Sequence, residues 1–231
     1  ARDGPLARHQ PQRPFRASAG LSGLPSVRRP LIWAALALAV AVPIVLAAGS
    51  PLLAWRDGVY VASSFAGMLA LALLLVQPLL AGGYLPALQA RRGRRVHAWL
   101  GAALVALILL HIAGLWLTSA PDVIDALLFA SPTPFSAWGV VAMWAAFAAA
   151  ALAALRARVR LAPKVWRLGH TALAVVVVSG SVVHAWLVDG TMEPLSKAAF
   201  CLLVLLATAK VILDLRAWTL IARKRRSADR R

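Results

Sequence analysis

Apolar residues in this chain come in long blocks with almost no charge, separated by short polar stretches. Six such blocks run from about Leu31 to Ala48, Val59 to Leu80, His97 to Leu117, Phe135 to Leu155, Leu168 to Val188 and Leu195 to Leu213. At 1.5 Å per residue, each is about long enough to cross a hydrocarbon core of about 30 Å. The pattern predicts an all-α integral membrane protein, a bundle of six transmembrane helices over residues 31–216. Residues 1–30 are rich in Arg, Pro, Gly and Ser and predict a disordered basic tail, with His9 solvated in it. Residues 217–231 form a second basic tail. The first block follows basic residues and ends in small ones, as a signal peptide does, but its length favours a retained span. The stretch DVIDALLFA between the third and fourth spans suits a short helix lying in the membrane interface. The alanine-dense fourth span suits close packing against its neighbours in lipid.

Composition changes the picture mainly through charge. Hydrophobic residues make up 61% of the chain, above the roughly 50% of a soluble domain. The net charge of +17 in a soluble protein would suggest nucleic acid, but here the basic residues flank apolar blocks. Arg91, Arg92, Arg94 and Arg95 precede the third span, and Arg156, Arg158, Arg160, Lys164 and Arg167 separate the fourth from the fifth. The alternate loops hold only Arg56 and Lys197, against Asp57, Asp122, Asp125, Asp189 and Glu193. By the positive-inside rule both termini are cytoplasmic, with lipid rather than nucleic acid as the surrounding partner. Richness in Ala, Leu, Val and Arg fits a GC-rich bacterial genome, hence a multi-pass protein of the bacterial inner membrane. Tryptophans near the span ends fit interfacial anchors. Lys210 and Asp214 are spaced for an i,i+4 pair. The single cysteine, Cys201, makes no internal disulfide, and no C-x-x-C-H is present for covalent haem.

The spans carry four histidines, on two helices alone. His97 and His111 lie on the third, His170 and His184 on the fifth, each pair 14 residues apart. A step of 14 returns to within about 40° of the same helix face and rises about 21 Å. Because the third and fifth spans run the same way, His97 and His170 share one depth and His111 and His184 another. A lone intramembrane histidine can be a satisfied packing residue, yet ionisable groups in membranes point to function by default. Histidines about 21 Å apart cannot share one metal ion, whose ligands lie within about 2.1 Å. A proton relay usually adds buried carboxylates, and these spans have none in their centres. A haem iron takes two axial imidazoles from opposite sides, and the pairs His97–His170 and His111–His184 provide that twice. Gly101, Gly114, Gly169 and Gly180 would leave room for a flat macrocycle, or serve ordinary helix packing. Leu104 and Val177 stand midway between the two levels. Arg94, Arg95, Lys164 and Arg167 are candidate propionate contacts for the inner haem, and Arg56 and Lys197 the only cations near the outer one.

The segments RRGRRVHAWLG with LLHIAG, and KVWRLGHTALAV with VVHAWL, resemble the ferric reductase-like transmembrane domain family over roughly residues 60–190. That family includes the membrane parts of ferric reductases and NADPH oxidases. The resemblance implies that His97, His111, His170 and His184 ligate the iron of two non-covalent b haems. Ferric reductases and NADPH oxidases continue into FAD and NAD(P)H domains, and no G-x-G-x-x-G or P-loop occurs here. The expectation is therefore a stand-alone haem module. It is an oxidoreductase electron-transfer component that needs a separate donor, a cytoplasmic flavoprotein reductase or quinol. Its outer acceptor would be a ferric chelate, oxygen or a periplasmic redox protein. Two rival readings are a quinol-linked cytochrome b anchor of a periplasmic oxidoreductase and a haem-free transporter or scaffold.

Overall fold

The structure is a computed structural model that describes residues 25–228 apart from Gln89. Residues 1–24 of the expected basic tail, His9 among them, and residues 229–231 lie outside the described residues. All regular elements are helical: α1 (Pro25–Ala48), α2 (Gly58–Ala81), α3 (Ala90–Thr118), α4 (Ala120–Leu127), α5 (Ser136–Val159), α6 (Pro163–Leu187) and α7 (Pro194–Ala228), with a short 3-10 turn at Pro51–Trp55. Six are long and apolar enough to cross a membrane, one in each expected block. The eight-residue α4 spans only about 12 Å. It covers residues 122–127 of the expected interfacial stretch, stops short of its last three residues, and buries Val123.

Local chemistry sets the helix ends. The Asp57 carboxylate accepts the Val59 N–H at 2.7 Å and caps α2. Gly83, with φ +70°, turns the chain out of α2. Arg160, in the left-handed region, ends α5. Pro163 and Pro194 open α6 and α7, at positions where no N–H is needed. Glu193 precedes α7 and accepts the N–H groups of Leu195 (2.8 Å) and Ser196 (2.6 Å). Those bonds, Ser196's first, hold its exposed carboxyl below the usual glutamate range.

Three helices begin earlier than the apolar blocks do, and α1, from Pro25, takes residues 25–30 out of the expected disordered tail. α3 starts at Ala90, so Arg91, Arg92, Arg94 and Arg95 ride on its first turns rather than in a loop. α6 starts at Pro163, which puts Lys164 and Arg167 on its first turns. A hydropathy block stops where lipid contact stops, whereas the hydrogen-bonded helix continues into the polar interface. α7 likewise runs on past Leu213 to Ala228.

The packing forms a ring. α2 pairs with α3 and α5 pairs with α6, each as a tight hairpin or near-hairpin. α7 bridges α2 and α6, α3 meets α5, and α1 packs outside, chiefly on α7. The core lies where the two pairs and α7 converge: Leu71, Leu74 and Leu75 of α2, Leu104 of α3, Ala145 and Ala146 of α5, Val177, Val178 and Val182 of α6. Phe200 and Val204 of α7 are fully buried there. The large apolar side chains left exposed, such as Leu109, Leu110, Leu202 and Leu206, face outward as lipid contact requires.

Polar fastenings sit at both ends. At the end bearing the arginines, the Tyr84 hydroxyl donates to Asp214, which also accepts from Lys210 at 3.1 Å, the expected i,i+4 pair. This ties the loop after α2 to α7. At the acidic end Lys197 is buried, and its ammonium donates to the carbonyls of Trp186 (3.2 Å) and Val188 (3.0 Å). Those groups end α6, where the helix dipole is negative.

Candidate functional site

The four histidines meet two by two. The ring centroids of His97 and His170 are 6.2 Å apart, with planes at 69°. Those of His111 and His184 are 6.5 Å apart, at 79°. Since the two histidines of α3 meet those of α6 in the same chain order, the two helices run in parallel, as the charge pattern predicts. Among the described residues no group of three or more His, Cys, Asp or Glu comes together. The two levels are separated by about 21 Å of helix rise. Leu104 and Val177, midway between them, are buried in the shared core.

Backbone carbonyls of the adjoining helices hold the imidazoles. His111 Nδ1 lies 2.8 Å from the Ser63 carbonyl, and His184 Nδ1 2.9 Å from that of Phe135. His97 Nδ1 is 3.3 Å from the Gln77 carbonyl. A carbonyl only accepts, so in each case Nδ1 carries the proton and Nε2 keeps its lone pair. The acceptors repeat the ligand spacing: Ser63 and Gln77 are 14 residues apart on α2. Phe135, the residue just before α5, and Ala149 on α5 are again 14 apart, and His170 faces the Ala149 backbone without reaching hydrogen-bond geometry. Two helix pairs thus present the same construction.

Two glycines form cradles for the acidic-end rings. A Cβ on Gly67 would stand 3.0 Å from His111 Nδ1, and one on Gly139 2.7 Å from His184 Nδ1. Each lies one turn after the carbonyl acceptor, Ser63 or Phe135, so bond and close approach come from one helix face. The glycines named in the sequence serve helix contacts instead. Gly114 packs on Ser63, Gly180 on Ala142 and the Trp138 carbonyl, Gly169 on Leu152, and Gly101 faces Gln77. Ser63 adds a hydroxyl bond of 2.5 Å to the His111 carbonyl, and the Phe135 ring meets His184 edge-on at 5.7 Å.

The basic candidates are arranged less tightly. Arg94, Arg95, Lys164 and Arg167 are all exposed at the end where His97 and His170 lie. Arg167 donates to its own helix at Pro163, 3.3 Å away, and Arg95 lines a surface cavity of about 230 Å³ with Arg91 and Arg92. At the other end Lys197 is committed to capping α6, and Arg56 lies over the Tyr60 ring at 4.9 Å. Trp166, expected as an interfacial anchor, stacks on His170 at 5.3 Å and 9°, and Arg156, expected as a loop cation, rides on α5 with its guanidinium 4.2 Å from the Trp166 ring centre. Sequence reasoning passed over Ser63, Gln77, Gly67, Phe135 and Gly139. Their only signal was two glycines inside otherwise large apolar helices.

No curated protein and no solved structure matches the chain. A family model, Ferric reductase like transmembrane component, matches residues 66–181. The match contains α3, α4 and α5 in full and most of α2 and α6, with His97, His111 and His170, and stops just before His184. Covering half of the chain and both of the helices that carry the paired histidines, it shows that this multi-pass membrane protein belongs to the ferric reductase-like transmembrane component family, which is generally haem-binding.

Proposed function

We propose that the protein is a transmembrane b-type cytochrome that passes electrons across the membrane through two bis-histidine haems. His97 and His170 hold the iron of one, and His111 and His184 that of the other. The observation that carries this reading is the paired ring geometry. Two imidazoles that shared one metal ion, each at a metal–nitrogen distance of about 2.0–2.1 Å, would have ring centres roughly 6 Å apart. The two observed spacings are 6.2 and 6.5 Å. Proton-bearing Nδ1 atoms on carbonyls leave Nε2 as the donor, as in histidines that bind metals while their other ring N–H is held by a carbonyl.

When bound, a haem supplies a one-electron couple whose potential depends on its axial ligands and surroundings. The chain's own residues do the rest. The carbonyls of Ser63, Phe135 and Gln77 fix three imidazoles in the ligating tautomer. The apolar core around Leu104, Val177, Phe200 and Val204 excludes water between the two levels. Helix ends put Arg94, Arg95, Lys164 and Arg167 at the rim of the His97–His170 level, where they can face propionates. By the positive-inside rule that level is cytoplasmic, as are both termini, in a bacterial inner membrane. A flavoprotein reductase or quinol would supply electrons at that level, and a ferric chelate, oxygen or a periplasmic redox protein would accept them at the His111–His184 level. The basic surface would steer an acidic donor.

The deciding measurement is the reduced-minus-oxidised spectrum of the purified protein, with haem counted per chain. Two haems per chain with a low-spin b-type spectrum are expected. No haem after expression with ample haem supply would overturn the assignment.

A further inference from the structure

The two levels differ at one place. Three of the four histidines are fixed by a carbonyl, whereas His170 Nδ1 is buried with no hydrogen-bond partner. Its polar neighbour, the Ala149 carbonyl, stays outside hydrogen-bond geometry and so holds the rotation of that ring less firmly than the carbonyls hold the other three. Its flat face is instead covered by Trp166, nearly parallel at 9° and 5.3 Å. The indole is pinned from another side by Arg156, whose guanidinium carbon is 4.2 Å from the ring centre. Trp166 Nε1 is itself buried without a partner. The indole is therefore held by its faces, not by its N–H. The repeat shows what is special here: one turn before His97, the place matching Trp166 is Gly93, and the place on α5 matching Gln77 is Ala149.

We propose that Trp166, clamped by Arg156, is the positioning residue of the His97–His170 site. It fixes the rotation of the His170 imidazole, and so the angle between the two axial rings, in place of the missing hydrogen bond. The inference rests on the bis-histidine reading above. Stacking across a ring face opposes rotation about the Cβ–Cγ bond, because turning either ring breaks the parallel contact. Arg156 resists the same motion from α5, so the orientation of a ligand on α6 is coupled to the neighbouring helix.

The relative orientation of axial imidazoles is read directly by electron paramagnetic resonance of the ferric protein. Near-perpendicular rings give an isolated, strongly displaced g maximum, and near-parallel rings a rhombic signal. With planes at 69° and 79°, both sites should give the displaced kind. The signal lost in His97→Ala identifies the site in question. In full-length Trp166→Leu that signal should move toward the rhombic position, and its haem should dissociate several-fold faster. The His111–His184 signal should stay where it is. Trp166→Phe, which keeps a stacking face and lacks the N–H, should restore the parent signal. An unmoved signal in Trp166→Leu, equal movement of both signals, or a Phe variant as altered as the Leu variant would overturn the proposal. Should Trp166→Leu fail to accumulate, Arg156→Gln decides: a moved signal supports the clamp and an unmoved one overturns it. A parent protein without haem at this level would sink the bis-histidine reading itself, and is told apart by the absence of the signal before any substitution.

Discussion

Replacing Gly139 with alanine should empty the His111–His184 level. The added Cβ would lie 2.7 Å from His184 Nδ1, 3.0 Å from Cε1 and 3.2 Å from Cγ. Ordinary contacts start near 3.4 Å, so the ring must retreat by about 0.7 Å or the helices must part. His184 Nδ1 is bonded at 2.9 Å to the carbonyl of Phe135, one turn before Gly139, and a retreat along that bond stretches it to about 3.6 Å, beyond hydrogen-bond range. Overpacking costs about 1–3 kcal/mol and the lost bond about 0.5–1.5 kcal/mol. At 1.4 kcal/mol per tenfold, that is about 10- to 1,000-fold weaker haem binding at this level. Gly67→Ala is the graded comparison. Its Cβ would stand 3.0 Å from His111 Nδ1, and a retreat of about 0.4 Å leaves the 2.8 Å bond to Ser63 near 3.2 Å, still intact. About 1 kcal/mol, or roughly fivefold, is expected. Gly101→Ala, with its nearest side-chain atom at 3.5 Å, should change nothing. The assay is haem titration into the purified apoprotein, followed optically, with stoichiometry from the reduced difference spectrum. Equal affinities for the Gly139, Gly67 and Gly101 variants would refute the cradle.

Three further outcomes follow from the same geometry. His111→Ala and His184→Ala should each remove one and the same haem spectrum, and His97→Ala and His170→Ala the other; loss of different spectra within a pair would break the pairing by depth. Lys197→Met should lower the melting temperature in detergent, by about 2 kcal/mol for its charged bonds to the Trp186 and Val188 carbonyls, with haem content retained; an unchanged melting curve would count against this cap. Glu193 has a carboxyl pKa below its ordinary value because it accepts the Ser196 and Leu195 N–H groups. Its contribution is present above the unfolded-state pKa and fades as pH falls from there through the lower folded-state pKa. Acid melting curves of Glu193→Gln should therefore converge with the parent's below that window, and a constant gap at all pH values would contradict the linkage.

The spans and the histidine levels were legible because both depend on one-dimensional spacing. Block length fixes a membrane crossing, and a step of 14 fixes a shared face. The parallel course of α3 and α6 followed from charge alternation, and the ring pairs His97–His170 and His111–His184 agree with it. What holds those rings was not legible. Ser63, Phe135 and Gln77 act on the imidazoles through backbone carbonyls, which every residue possesses, so side-chain identity carries no signal for them. Gly67 and Gly139 are visible only once it is known which helix lies beneath which ring. The role of Lys197 was obscured by counting charge by loop: it lies at the acidic end as a cation, yet its partners are the last carbonyls of α6.

The carbonyl acceptors also explain how two sites so far apart stay alike. Ser63 and Gln77 on α2 repeat the ligand step, and so do Phe135 at the start of α5 and Ala149 on it, although the Ala149 carbonyl faces its imidazole without bonding it. Each helix pair is then a rail carrying imidazoles and their supports in one register, and an error in register would displace both levels together. The two rails meet on α7, whose fully buried Phe200 and Val204 pack in the shared core and set how closely the rails approach. The ring spacings differ by only 0.3 Å, from 6.2 to 6.5 Å, over a rise of about 21 Å. A wedge of fixed apolar volume between two rigid pairs yields that constancy, because close-packed interiors resist partial collapse. The departure from the repeat, Trp166 against Gly93, falls at the end where the arginines gather. There the imidazole is exchanged from a backbone support to a stacked one, so the two levels share spacing while differing in how their ligands are held.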